Sequence, residues 1–451
     1  MEPKFHFRGI QFVKKALKLS SAVMLASMLV LSACSDGGTG QTGANQNDSA
    51  SKKSGAATKL TFWTFNELHQ KFFESMAKSW NAANPNEQIE LEATTFPYDD
   101  NHNKLTVALQ SGTGAPDLVD IEISKIGNYL KGDVQLVPLN DIVEPEKANL
   151  IMSRLDNYAK DGKYYGIDYH VGAQVIYYNK EILDKAGVNP DDIKTWDDFE
   201  KAGKQVLEKT GKPMTTVETS DQWTLWPMVA QHGSDFLDKD GNVKLNDAVN
   251  LEVLTYLQKL VKEKIAVPTP GGNHHAEEYY GFMNKGGAAS VWMPMWYMGR
   301  FTDYMGDLKG KIVIKPMPVF KQGEPRSSGM GGTGTVITKQ SKSADLAKKF
   351  LAYAKVSKEG NIEIWKQLGF DPIRSDVWTD AKMKEANKYT DYFGKNIFEF
   401  LSSLKSEIAP INVKEKTPAV SDVVKTKVNF LILNDLKDPK QVLDDAAKSI
   451  K

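Results

Sequence analysis

The chain has 451 residues, 41% hydrophobic and 25% charged, proportions of a globular protein with room for two or three domains rather than one core. Basic and acidic residues both total 57, which leaves no basic excess for nucleic acid and no acidic tail. The single cysteine, Cys34, excludes an internal disulfide framework, and composition alone fits a binding protein as well as an enzyme.

Lys4, Arg8, Lys14, Lys15 and Lys18 precede an uncharged run from Leu19 to Ala33 that is too short to span a bilayer. That arrangement is a secretory signal peptide over residues 1–33. It ends in Leu31-Ser32-Ala33-Cys34, which resembles the lipobox of bacterial lipoproteins, with Cys34 as the lipidation point. Removing residues 1–33 takes away five basic residues and one acidic residue and leaves the remainder mildly acidic. From Cys34 to residue 57 the chain is almost wholly small and polar, the composition of a flexible tether.

After Lys59, Leu-Thr-Phe-Trp-Thr-Phe-Asn reads as a strand, and Glu67 to Ala83 as a helix with Leu68, Phe72, Met76 and Trp80 on one face. Ile89 to Thr95 is a second strand, His102 to Gln110 a second helix, and Ala115 to Glu122 a third strand entered through Pro116. This β/α alternation predicts a parallel sheet covered on both faces. Ligands meet such sheets at the carboxyl ends of the strands, which nominates Trp63, Asn66 and Glu67 after the first strand and Asp120 and Glu122 after the third. For Trp63, a place in the core is an equally good reading.

Tyr164 to Asn179 alternates β-branched and aromatic residues with polar ones, the pattern of an extended segment leaving one lobe for another. Asp168 and His170 lie in its middle, where an interlobe cleft would place them, and a solvent-facing strand position is the plain alternative. Thr195 is the N-cap of the next helix, with Asp197 and Asp198 in its first turn and Trp196 as a packing residue. Thr215 to Pro227 sets Glu218, Asp221, Gln222, Trp223 and Trp226 close together. Aromatic faces fringed by planar polar groups suit a sugar, whose C–H faces stack while its hydroxyls hydrogen-bond, though helix packing accounts for one of the tryptophans.

The run from Gly271 to Tyr297 reads as a short helix, a turn, a strand stopped by Pro294 and an aromatic loop with Trp296 and Tyr297 at a strand-to-helix junction. His274, His275, Glu277 and Glu278 lack zinc spacing, so no metal is assigned. Gly329 to Gly334 matches G-x-G-x-x-G, but a strand follows where a dinucleotide site needs a helix. A glycine hinge fits better. Ser343 is read as the cap of a helix from Ala344 to Lys355, Gly360 to Gln367 as another helix, and Gly369 to Arg374 as a third connection.

Together these features, with the Pro-Asp-Leu-Val strand, the Tyr-Gly-Ile-Asp-Tyr crossover and the Gly-Gly-Ala-Ala-Ser strand, resemble family 1 extracellular solute-binding proteins of ABC sugar importers from Leu60 to about Lys451. Residues 211–219, 274–284, 296–301 and 368–374 are similar to the branch of that family that binds arabinan-derived oligosaccharides in Bacillus-type bacteria. The resemblance implies an α/β, two-lobe periplasmic-binding-protein-like fold of the class II type, each lobe a sheet flanked by helices, joined by three hinge crossovers. Lobe one would take 58–167 and 327–373, and lobe two 168–326 and 374–451. It further implies a monomer that closes on an oligosaccharide, needs no cofactor, binds no nucleic acid, and hands its ligand to permease subunits served by an ATPase. Its place would be the outer face of a membrane, through lipidated Cys34, in a Gram-positive cell. The cleft residues it implies are Trp63, Asn66, Glu67, Glu122, His170, Trp223, Trp296, Tyr297 and Asp371. A secreted glycosidase using two of Glu67, Glu122, Asp168, Glu218 and Asp371 is the enzymatic alternative, and a sugar-sensing lipoprotein the other.

Overall fold

A computed structural model describes residues 57–450. The signal peptide, Cys34 and nearly all of the tether lie outside the described residues.

Strands β1 (Thr58–Thr64), β2 (Ile89–Thr95), β3 (Leu118–Glu122), β4 (Gly166–Asp168) and β8 (Thr333–Ile337) build one sheet; β5 (Gln174–Asn179), β6 (Ser290–Pro294) and β7 (Ile312–Lys315) build a second. The order in the first is β2-β1-β3-β8-β4, with β1 parallel to both β2 and β3. The all-parallel expectation fails at β8, which runs antiparallel to β3 and β4 because the chain re-enters this sheet from the other lobe. In the second sheet β5 is central and antiparallel to both neighbours, and all six of its residues are buried.

The helix Glu67–Ala83 turns Phe72, Phe73, Met76 and Trp80 onto the first sheet, where Phe73 stacks on Phe62 of β1 at 4.4 Å. Residues that face one way at i, i+4 and i+8 make that stripe, and the sheet removes it from water. The next helix starts at Tyr98 rather than His102, since Pro97 presets the backbone and Asp99 and Asp100 favour the positive first turn. The third strand begins at Leu118, two residues after Pro116, which has no N–H for a ladder. Thr195 caps Trp196–Thr210 in a reciprocal box with Asp198, and Trp196 is core. Ser343 makes no side-chain cap bond; its helix runs Ala344–Leu351 and widens into a π turn, Ala352–Val356.

The Tyr164–Asn179 crossover is not one strand. Between β4 and β5 the backbone turns at Gly172, with φ +70°. The passages between the sheets are pinned to each other: His170 bridges Pro372, Ala173 bridges Gly329, and the Val171 N–H donates to the Asp371 carbonyl at 2.9 Å.

Candidate ligand-binding cleft

Where the passages meet, a cleft of about 820 Å³ opens between the lobes. Six of the nine nominated residues line it: Asn66, Glu67, Glu122, His170, Trp223 and Trp296.

The first-lobe wall is made by strand ends. Asn66 caps the Glu67–Ala83 helix by accepting from the Leu68 N–H at 3.0 Å, so the positive end of the helix and Glu67 stand at the cleft mouth. Glu122 ends β3. Its Oε2 accepts from the Ser124 N–H at 2.9 Å, from the Ser124 hydroxyl and from the Tyr98 hydroxyl at 3.0 Å. Its Oε1 is shielded from solvent and has no hydrogen-bond partner among the described residues. Burial pushes this carboxyl above its ordinary range, partly offset by the Lys425 ammonium.

His170 also lines the cleft; its Nδ1 is shielded from solvent on the side of Gly172 with no partner among the described residues, and burial drops this imidazole to about 3, so it is neutral. The opposite wall is aromatic. Trp296 is stacked by His275 at 5.5 Å and 14°, and met edge-on by Trp223 at 5.6 Å and 81°. The Trp296 indole N–H donates to the Met330 carbonyl at 3.1 Å, which fixes the ring against the glycine passage. Burial keeps His275 near 4 and therefore uncharged. Lys425 sits 3.2 Å from Asp221 on the same wall. Burial works against its charge, yet Asp221 and Glu122 raise its pKa, so the two walls feel each other across the gap.

Trp63, Tyr297 and Asp371 are not part of the lining. Trp63 is half-buried, edge-on to Phe96 at 5.3 Å. Tyr297 follows Trp296 in a 3₁₀ turn, where neighbours point about 120° apart, and is buried with its hydroxyl donating to the His274 carbonyl at 2.5 Å. Asp371 is turned away to accept the Ala173 N–H at 2.7 Å, and burial raises it to about 7. Two other expected positions are also enclosed: Asp168 pairs with Arg154, and Asp120 with His69 at 2.9 Å. Sequence reasoning passed over Tyr98, Arg300, Tyr304, Phe370 and Lys425, which line the cleft as well. Among the described residues, no group of three or more His, Cys, Asp or Glu side chains is placed to hold a metal.

Aromatic faces beside unpaired buried donors and acceptors suit a neutral ligand that carries many hydroxyls. Residues 66–360 match the family model of the bacterial extracellular solute-binding protein. The chain belongs to this family. Among other solute-binding proteins, it is 48% identical over 443 residues to an arabinooligosaccharide-binding protein of Bacillus subtilis, covering 97% of this chain and all of the relative. It is 50% identical over 397 residues to an arabinooligosaccharide-binding protein of Halalkalibacterium halodurans, covering 88% and 89% of the two chains. In three dimensions it is similar to the GacH receptor of Streptomyces glaucescens, with a TM-score of 0.72 at 18% identity over 87% of this chain and 97% of that one, a likeness of fold. Among the described residues, no helix of this solute-binding protein is long and apolar enough to cross a membrane.

Proposed function

We propose that this solute-binding protein captures arabino-oligosaccharides in the cleft by closure of its two lobes and delivers them to the permease subunits of an ABC importer, which an ATPase drives. The observation that carries this reading is the 48% identity, over nearly the whole of both chains, to a protein that binds such sugars. The site supports it: the Trp296 group offers ring faces, and Asn66, Glu67, Glu122 and Asp221 bring planar polar side chains to the same cleft. Closure would be driven by ligand affinity for the closed state. The lobes are assigned as 58–167 with 327–373, and 168–326 with 374–451. The protein would act as a monomer held to the outer membrane face through Cys34.

Catalysis is not part of the proposal. Of the carboxylates available to a glycosidase, Asp168, Glu218 and Asp371 are buried in internal bonds, and only Glu67 and Glu122 reach the cleft. Isothermal titration of the soluble chain with arabinotriose, arabinose, maltotriose and xylotriose, with product analysis of the same samples, tests this. Arabinotriose is expected to bind near micromolar, roughly −8 kcal/mol, and to stay intact. Binding of another sugar alone would refute the substrate, and cleavage would refute the binding-protein role.

A further inference from the structure

Trp296, Arg300 and Tyr304 recur at four-residue spacing through the turn Met295–Tyr297 and the helix Met298–Tyr304, and all three line the cleft. Residues so spaced share one helix face, and eight residues advance roughly 12 Å at 1.5 Å each. Trp296, tied to the Met330 carbonyl, is the inner end of this row. Tyr304 is the outer end and is 54% exposed, and among the described residues only Val107 is a more open large hydrophobic side chain.

Tyr304 is not loose. Tyr280 of the helix Glu277–Asn284 lies parallel behind it at 4.7 Å and 3°, and Tyr280 is itself 7% exposed. One face of the Tyr304 ring is therefore backed and the other left free, the arrangement of a rigid platform. Between the two ends Arg300 has no carboxylate partner among the described residues: the neighbouring Asp303 is taken by Lys388 at 2.9 Å. The Arg300 Nε is buried without a hydrogen bond. Its guanidinium presents fixed, parallel donors suited to adjacent hydroxyl oxygens.

Building on the sugar reading, we infer that Arg300 and the Tyr280–Tyr304 stack form an outer subsite that holds further rings of an oligosaccharide whose inner end rests on Trp296. Affinity then increases with chain length until the row is filled. The test is calorimetric titration of the wild type, Tyr304→Ala and Tyr304→Phe with arabinobiose, arabinotriose, arabinotetraose and arabinohexaose. In Tyr304→Ala the ratio of hexaose to biose affinity is expected to fall about tenfold, while Tyr304→Phe, which keeps the ring, preserves it. Because Tyr304 is exposed, the alanine variant retains the fold, which a melting curve checks. An unchanged ratio, or an equal loss at every length, overturns the subsite and leaves the sugar reading standing. Failure of the wild type to bind any of the four overturns both.

Discussion

Arg154 and Asp168 form a buried ion pair, Nη2 to Oδ2 at 2.8 Å, with 2% and 0% of their side chains exposed. The same guanidinium donates to the Gly329 carbonyl at 3.1 Å and to the Gly331 carbonyl, and Asp168 Oδ1 accepts from the Thr333 N–H at 3.0 Å. One arginine thus ties the first passage between the sheets to the second. Arg154→Met leaves a carboxylate uncompensated in the interior, and stability should fall by about 3–5 kcal/mol. Urea unfolding measures it; a loss under about 1 kcal/mol would mean the pair behaves like a surface one.

The passages also touch backbone to backbone. A Cβ on Gly172 would lie 1.9 Å from the Met330 carbonyl oxygen, at a φ of +70°. Met330 cannot yield easily, since its N–H donates to the Gly172 carbonyl at 2.8 Å and its own carbonyl holds Trp296. The left-handed backbone alone costs an alanine about 1–2 kcal/mol, so Gly172→Ala should lose at least that much and weaken ligand binding by shifting Trp296. Thermal melts with and without sugar read both effects, and an unaltered melt in each condition would contradict the argument.

How legible this was depends on where the signal sits along the chain. The helix Glu67–Ala83 and the strand Ile89–Thr95 have the bounds their apolar periods give, because each carries one clean face. Trp296 was found since Pro294 ends a strand beside it, but its neighbour Tyr297 was drawn in with it, and only the turn geometry separates the two. Lys425 carries no local mark: it is brought to Asp221 by a contact some two hundred residues away in sequence, in a π turn, Val424–Val428, that a 3.6-residue period does not anticipate. Lys355 escaped for the same reason, read as the polar end of a helix and found inside a π turn with no exposure.

That lysine gives a pH prediction. Lys355 Nζ donates to the Thr335 hydroxyl at 2.8 Å and stands 3.2 Å from the Tyr169 ring centroid. Burial pulls its pKa from 10.5 down to about 7, against the pull of Asp120 and Asp168. Between those values the unfolded chain binds the proton more fully than the native one, so this group makes stability rise with pH from about 7 toward 10.5. Lys355→Met removes the group from both states. Its stability curve should rise less steeply than the wild type's across that window, by at most about 1.4 kcal/mol per pH unit. Chemical unfolding of both proteins at several alkaline pH values measures the difference, and parallel curves would mean that Lys355 keeps an ordinary pKa.

Glu122 separates a ligand contact from a structural acid. Its Oε2 is already satisfied by Ser124 and Tyr98, whereas Oε1 is shielded from solvent with no partner among the described residues, in a side chain that lines the cleft. In Glu122→Gln the amide oxygen can keep the bonds of Oε2, and an NH₂ donor replaces the free acceptor. A sugar hydroxyl that donated to Oε1 would meet a second donor, and the attraction to Lys425 would be gone. Loss of one hydrogen bond to a charged group is about 1.5–3 kcal/mol, so sugar affinity should drop roughly ten- to hundredfold. The unliganded protein has less to lose, because burial already disfavours the charge that the substitution removes. Titration calorimetry paired with unfolding of the sugar-free protein distinguishes the cases. A stability loss with unchanged affinity would make Glu122 a support for Ser124 and Tyr98 and remove it from the binding surface.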